Sequence, residues 1–166
     1  MLFNEFDANS DYPYGRVNPA AAPEIEQFHF MIGTFDCTDE LLINGEWKTM
    51  KAVWQSNYTL NGYAIQDHYR NEVYAGTSLR VYNQATGLWN VSFFGMAGNH
   101  SGLWTGSRDG NRIVLTSEQV APDGSKATSR LSFSEITDSS FEWLGERISA
   151  DGTVTPNWKI SARRRE

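Results

Sequence analysis

Residues 34–71 read TFDCTDELLINGEWKTMKAVWQSNYTLNGYAIQDHYRN. Two Asn-Gly pairs, Asn44-Gly45 and Asn61-Gly62, cut this stretch into three runs rich in β-branched and aromatic residues. Asn and Gly both enter the left-handed backbone region at low cost, so each pair is expected to close a tight hairpin between the runs that flank it. Antiparallel neighbours follow directly. Downstream the punctuation recurs at regular intervals, at Ala85-Thr86-Gly87, Asp109-Gly110, Pro122-Asp123-Gly124, Thr137-Asp138-Ser139-Ser140 and Asp151-Gly152, residues that reverse the chain by the same backbone logic. The runs between these marks are Thr34–Ile43, Glu46–Thr59, Tyr63–Asn71, Thr77–Asn83, Leu88–Gly95, Ser101–Ser107, Asn111–Gln119, Lys126–Ile136, Phe141–Ser149 and Val154–Arg163. Consecutive hairpins without long crossovers specify a meander, and a meander of about ten strands removes its edges by closing on itself. The fold class read from the sequence is therefore all-β: a single up-and-down antiparallel β-barrel with one short N-terminal helix.

That helix is expected from Pro23 to Ile32. Pro23 suits a first helical position, Ile25, Phe28 and Ile32 fall on one helical face, and Gly33 suits a C-terminal cap. Residues 1–22 carry Asn, Asp, Ser, Gly and Pro without a hydrophobic period and are read as an extended arm, leaving 23–166 as the barrel domain.

A chain of 166 residues with 40% hydrophobic, 20% charged and 13% aromatic content has the composition of one globular domain. Its net charge of −6 opposes a phosphate backbone, so nucleic acid is not an expected partner. The basic run Arg163-Arg164-Arg165 is accounted for by a solvated terminus. No window approaches the roughly 20 apolar residues of a membrane-spanning helix, and the acidic start lacks the basic, then apolar, pattern of an export signal. The lone Cys37 forms no internal disulfide, which suits a reducing compartment, so a cytoplasmic location is expected.

The segment Phe30-Met31-Ile32-Gly33-Thr34-Phe35-Asp36-Cys37, a helix running into Gly-x-aromatic, resembles the opening of calycin barrels, the lipocalin and fatty-acid-binding group. Phe35 stands where many lipocalins carry Trp. Leu60–Asp67, Arg80-Val81-Tyr82-Asn83 with Trp89, and Ser132–Ile136 leading to Phe141-Glu142-Trp143 are similar to bacterial lipocalin-like families of unknown function. The resemblance covers most of residues 28–164. It implies a barrel with a helix near one mouth and, in the wider group, an interior pocket for lipids, pigments, haem or other apolar molecules. Nitrobindin-type barrels in that group hold haem iron through a late-strand histidine, and here none follows His100, so no cofactor is expected.

Strand parity bears on the interior. Trp89, Val91 and Phe93 share one face of their run, and that face is expected inward. Trp54, Trp89, Trp104, Trp143 and Trp158 lie on five different runs and ring the interior of a closed barrel. Core and pocket wall coincide for such residues. His68 shares its parity with Gln66 and Arg70, whereas Asp67 and Tyr69 take the other, and the sequence does not choose between them. Arg130 has Glu142 or Glu146 as a cross-strand partner; a structural ion pair is the bland reading, and a guanidinium holding the anionic head of an amphipathic ligand is the functional one. His29, His68 and His100 lack the spacing of a metal site. No nucleophile elbow or phosphate-cradling loop is present, and the polar Ala97-Gly98-Asn99-His100-Ser101 loop is a candidate barrel mouth.

Two functions emerge. The first is binding of a small apolar or amphipathic molecule, with Trp54, Tyr82, Trp89, Phe93, Trp104 and Trp143 as wall and Gln66 and Arg130 as polar contacts. The alternative is an enzyme of isomerase, cyclase or dehydratase type in which Asp67, His68 or Glu146 moves a proton on a hydrophobic substrate. An interaction domain with a fully packed interior is a third, and a homodimer stays open.

Overall fold

In the computed structural model, which describes residues 15–96, 101–120 and 124–166, ten antiparallel strands form a closed barrel. They are β1 (Gly33–Ile43), β2 (Glu46–Thr59), β3 (Ala64–Asn71), β4 (Ala75–Asn83), β5 (Leu88–Gly95), β6 (Ser101–Asp109), β7 (Arg112–Val120), β8 (Lys126–Ser134), β9 (Ser140–Ser149) and β10 (Val154–Arg164). Each pairs with its sequence neighbours, and β1 pairs with β10 to complete the ring. The up-and-down meander expected from the turn residues is the observed topology, with no unpaired edge strand.

The turns repay close reading. Asn44 and Gly45 have φ of 54° and 83°, the two consecutive left-handed residues that a tight hairpin requires. The second Asn-Gly pair behaves differently: Leu60, Asn61 and Gly62 all have positive φ, at 51°, 53° and 79°, and four residues separate β2 from β3. The backbone of Arg16–Asn18 passes so close to Gly62 that no side chain fits there. The wider turn is thus a seat for the incoming chain, fixed by Gly15 N–H donating to Tyr58 O at 3.0 Å and Asn18 N–H to Gly62 O at 3.3 Å. β8 ends at Ser134, short of Ile136, because Glu135 turns into the left-handed region at φ 48°.

The helix is a 3₁₀ helix spanning Pro23–Met31. Three residues per turn place Ile25, Phe28 and Met31 on one face, all buried, and leave Ile32 as the C-cap. The helix sits across one end of the barrel. Phe28 meets Trp89 edge-on at 4.8 Å and Phe133 at 5.4 Å between ring centroids, and Phe30 meets Phe141 at 5.2 Å. Arg164 locks it there: its guanidinium donates to Phe30 O and Ile32 O from one side and to Asp138 O from the other, and stacks 4.7 Å from the Phe35 ring. No described helix is long and apolar enough to cross a membrane.

Candidate functional site

Between the helix end and the opposite end, the barrel holds a cavity of about 410 Å³, within the ~300–1,000 Å³ range of small-molecule sites. Its wall is aromatic: Trp54, Tyr69, Tyr74, Phe93, Trp104, Phe133, Trp143 and Trp158 all line it. Most of these rings brace one another. Trp158 meets Tyr69, Tyr74 and Trp143 edge-to-face at 5.5, 5.6 and 5.5 Å, and Phe93 meets Trp104 at 6.0 Å. Such contacts hold rings in fixed poses beyond what apolar burial does.

Glycines set how far these rings intrude. A Cβ at Gly102 meets the Trp104 ring at 2.8 Å, one at Gly76 meets the Phe93 ring at 2.7 Å, and one at Gly145 meets the Trp143 ring at 3.0 Å. Each ring reaches into space that a side chain at the glycine would occupy, so the missing Cβ is what lets the ring take its place.

Polar groups are set into this wall in pairs. Asp67 on β3 forms a buried ion pair with Arg80 on β4, and its other oxygen accepts from Ser78 N–H at 3.1 Å. The Arg80 guanidinium lies 5.2 Å from the Phe28 ring centroid, which ties the pair to the helix plug. Asp39 on β1 is wholly buried and accepts from Tyr69 Oη, Trp158 Nε1 and, at 2.6 Å, Asn71 Nδ2. Asn71 in turn accepts from Val73 and Tyr74 N–H at 2.9 and 2.7 Å. One carboxylate thereby positions two wall rings and, through Asn71, the turn that carries a third. Burial first, then the Asp39 contact, drives the Tyr69 phenol well above its ordinary range. Burial likewise pushes the Cys37 thiol up to about 12 and the Tyr58 phenol up to about 12; Tyr58 Oη bonds His29 Nδ1 at 2.9 Å near the plugged end.

The structure resolves the parity question on β3. Asp67 and Tyr69 face the lumen, and His68 with Arg70 is exposed on the outside. Of the acid–base set read from sequence, Asp67 and Glu146 border the cavity while His68 lies across the wall from it. Of the expected wall, Trp54, Phe93, Trp104 and Trp143 line the cavity. Trp89 is fully buried at the helix end, where its Nε1–H donates to Gln27 Oε1 at 2.9 Å, and Tyr82 packs on it at 5.5 Å. Gln66 shares the outer parity of His68. Arg130 stands between Ser129 and Leu131, which line the cavity, and is turned to the outer face, donating to Glu146 at 2.8 Å. Glu142 instead accepts from Ser161 at 2.5 Å. His100 and the rest of 97–100 lie outside the described residues.

Several wall groups escaped the sequence reading: Arg80, Asp39, Tyr74, Ser78, Gln119 and Asn157. A β-bulge between Pro156 and Trp158 is the reason for one of them. It lets Asn157 and Trp158, adjacent in sequence, both border the cavity, and opposite it Gly145 and Glu146 do the same, which strict alternation forbids. Among the described residues no group of three His, Cys, Asp or Glu side chains is placed to hold a metal ion.

With this geometry in hand, solved structures give the fold a counterpart. The chain is similar in fold to Rv2717c from M. tuberculosis. The two share 11% identity with a TM-score of 0.58, covering 88% of this chain and 99% of Rv2717c. A redesigned β-barrel aligns at TM-score 0.47 and 8% identity, covering 89% of this chain and 100% of its own. A Nostoc punctiforme protein of unknown function from the DUF3598 family aligns at TM-score 0.29 and 8% identity, covering 87% and 100%. At such identities only the barrel architecture of Rv2717c is carried over. No family model matches the sequence, and no curated protein matches it.

Proposed function

We propose that this chain binds a small, mainly apolar molecule inside its barrel, in the manner of the calycin-like barrels whose opening segment it resembles. The observation that carries the reading is the 410 Å³ cavity, walled by aromatic rings, three of which sit where a neighbouring glycine has no side chain. A barrel meant only to be a packed core leaves no such volume empty, because filling the lumen buries more apolar surface. The polar groups supply orientation, as the few placed hydrogen-bonding side chains of apolar pockets do.

Binding is favoured over acid–base catalysis by how the carboxylates are held. Asp67 is engaged by Arg80 and Glu146 by Arg130, while His68 is outside the lumen. A general base has to reach the proton it takes, and these groups are occupied or turned away. A reducing compartment such as the cytoplasm suits the buried, solitary Cys37.

The test is native mass spectrometry of freshly purified protein, followed by denaturation and identification of what is released, with titration of tryptophan fluorescence by a neutral aromatic probe. A stoichiometric adduct, or saturable quenching that is lost when the lumen is narrowed, is expected. A bare mass together with no fluorescence response to any apolar probe refutes the reading.

A further inference from the structure

The chemistry of the wall says which apolar molecule. Three buried donors on cavity-lining residues have no acceptor among the described residues: Trp54 Nε1, Trp104 Nε1 and Arg80 Nε. Arg80 and Trp54 are only 3% and 5% exposed, so these N–H groups are also withdrawn from bulk water. A buried donor left unmade keeps its full desolvation penalty, and native structures carry few of them without a reason. The carboxylates of the same wall are already engaged: Asp67 by Arg80 and Ser78, Glu146 by Arg130, and Asp39 behind the wall by three donors. The three N–H groups are therefore left for an acceptor that the wall's own carboxylates do not supply.

Its charge points elsewhere than the donors alone do. Asp67 and Glu146 border the cavity and Asp39 lies directly behind Tyr69 and Trp158, against one interior cation, Arg80, which Asp67 already neutralises. Arg130, the other neutralising group, is on the outer face. An anionic head group brought into this low-dielectric space loses its hydration and finds no free cation, since Arg80 is held by Asp67 and Arg130 by Glu146, and it has to displace Asp67 to reach Arg80. A cationic ligand meets donors that offer it nothing.

We propose that the cavity takes an uncharged aromatic carbonyl compound, a planar ring system whose oxygen accepts from the unpaired N–H set of Trp54, Trp104 and Arg80, at most two of them at once, while its faces lie on the surrounding rings. This rests on the binding reading above. It differs from the carboxylate-headed amphipath that an interior Arg130 would have selected.

The experiment uses four naphthalenes that share one ring system and differ at one substituent: methyl ketone, methyl, carboxylate and aminomethyl. Each is titrated into the full chain by calorimetry and by tryptophan quenching at neutral pH. The ketone is expected to bind about tenfold more tightly than methylnaphthalene, as a hydrogen bond to a buried donor allows, and both charged probes more weakly than the hydrocarbon. The Trp104→Phe variant keeps a ring and removes one donor, so it is expected to shrink the ketone-to-methylnaphthalene affinity ratio severalfold, the loss of indole surface falling on both probes alike and cancelling in the ratio. A ketone no tighter than methylnaphthalene, or a carboxylate or ammonium probe tighter than the ketone, overturns this proposal and leaves the binding reading standing. Failure of all four to bind overturns this proposal, and together with a bare native mass and no response to any apolar probe it overturns the binding reading too.

Discussion

Asp67 and Arg80 occupy diagonal positions on β3 and β4, since Asp67 faces Ser78 in register and Arg80 lies two residues further on. Both are buried, so the pair matters less for what it contributes than for what remains when half of it goes. Asp67→Asn leaves Arg80 charged and without its counter-ion, and we expect it to lower stability by about 3–5 kcal/mol in urea denaturation, whereas replacing both residues by apolar ones of similar volume recovers much of that loss. Cys37 offers a second test at this scale. Held up to about 12 by burial and by Asp39 and Asp36, its thiol is protonated at pH 8, and the thiolate is the reactive species; an aromatic disulfide reagent is expected to leave the folded protein unlabelled and to label one thiol in urea. The site was partly legible for reasons visible in single residues. Phe93 follows from strand parity, and Trp54, Trp104 and Trp143 from the spread of tryptophans over different runs of a closed ring, because a large aromatic in such a ring has one sensible direction. The β3 parity was not legible, because one face carries Gln66, His68 and Arg70 and the other sets Asp67 beside Tyr69, so neither is cleanly apolar, and what decides it is Arg80, thirteen residues away on the next strand. Asn157 was hidden by the bulge, a feature that has no signature in alternation.

Elements carry the shape of the lumen. The Asn-Gly and Asp-Gly turns were readable because left-handed backbone narrows the choice of residue, and the strand limits fall close to where those turns put them. The helix was readable as an element but not as a 3₁₀ helix, since Ile25 and Phe28 satisfy both periods and only Met31 against Ile32 tells them apart. On β9, Gly145 lies beneath Trp143, with Asn157 Oδ1 also 3.1 Å from any added Cβ. Gly145→Ala is expected to push the indole into the lumen and to weaken binding of a ring-shaped ligand by tenfold or more, with a smaller effect on stability, because the strand gains a residue better suited to it while the ring is displaced. Thermal melts and the fluorescence titration separate the two effects. At the other end, Arg164→Ala removes the donors that hold Phe30 O and Ile32 O and the cation over Phe35. Amide exchange over the helix is expected to speed up selectively, with the strands of the far wall little changed.

The whole barrel has no edge at which to begin unravelling, as β1 is paired on both sides from Phe35 to Leu41. Its stability is therefore expected to respond to pH as one unit, and the direction follows from groups the fold keeps protonated. Burial raises the Cys37 thiol from 9.0 and the Tyr58 phenol from 10.0, each to about 12, and raises Tyr69 as well. Below pH 9 both folded and unfolded chains hold these protons, so the contribution is whole. Above it the unfolded chain ionises its thiol, and from pH 10 its phenols, while the folded chain does not; fewer protons bound in the unfolded state mean stability falls as pH rises. For Cys37 and Tyr58 the loss continues until the folded groups titrate near 12. Urea midpoints measured at pH 8, 9.5 and 11 are expected to decline steadily over that window, and Tyr58→Phe, which keeps the ring but has no phenol to ionise, is expected to flatten the decline between 10 and 12. A midpoint that holds constant from pH 8 to 11 would mean that water reaches these groups in the folded barrel, and with it that the wall built from Tyr69 and its neighbours is open where the structure has it closed.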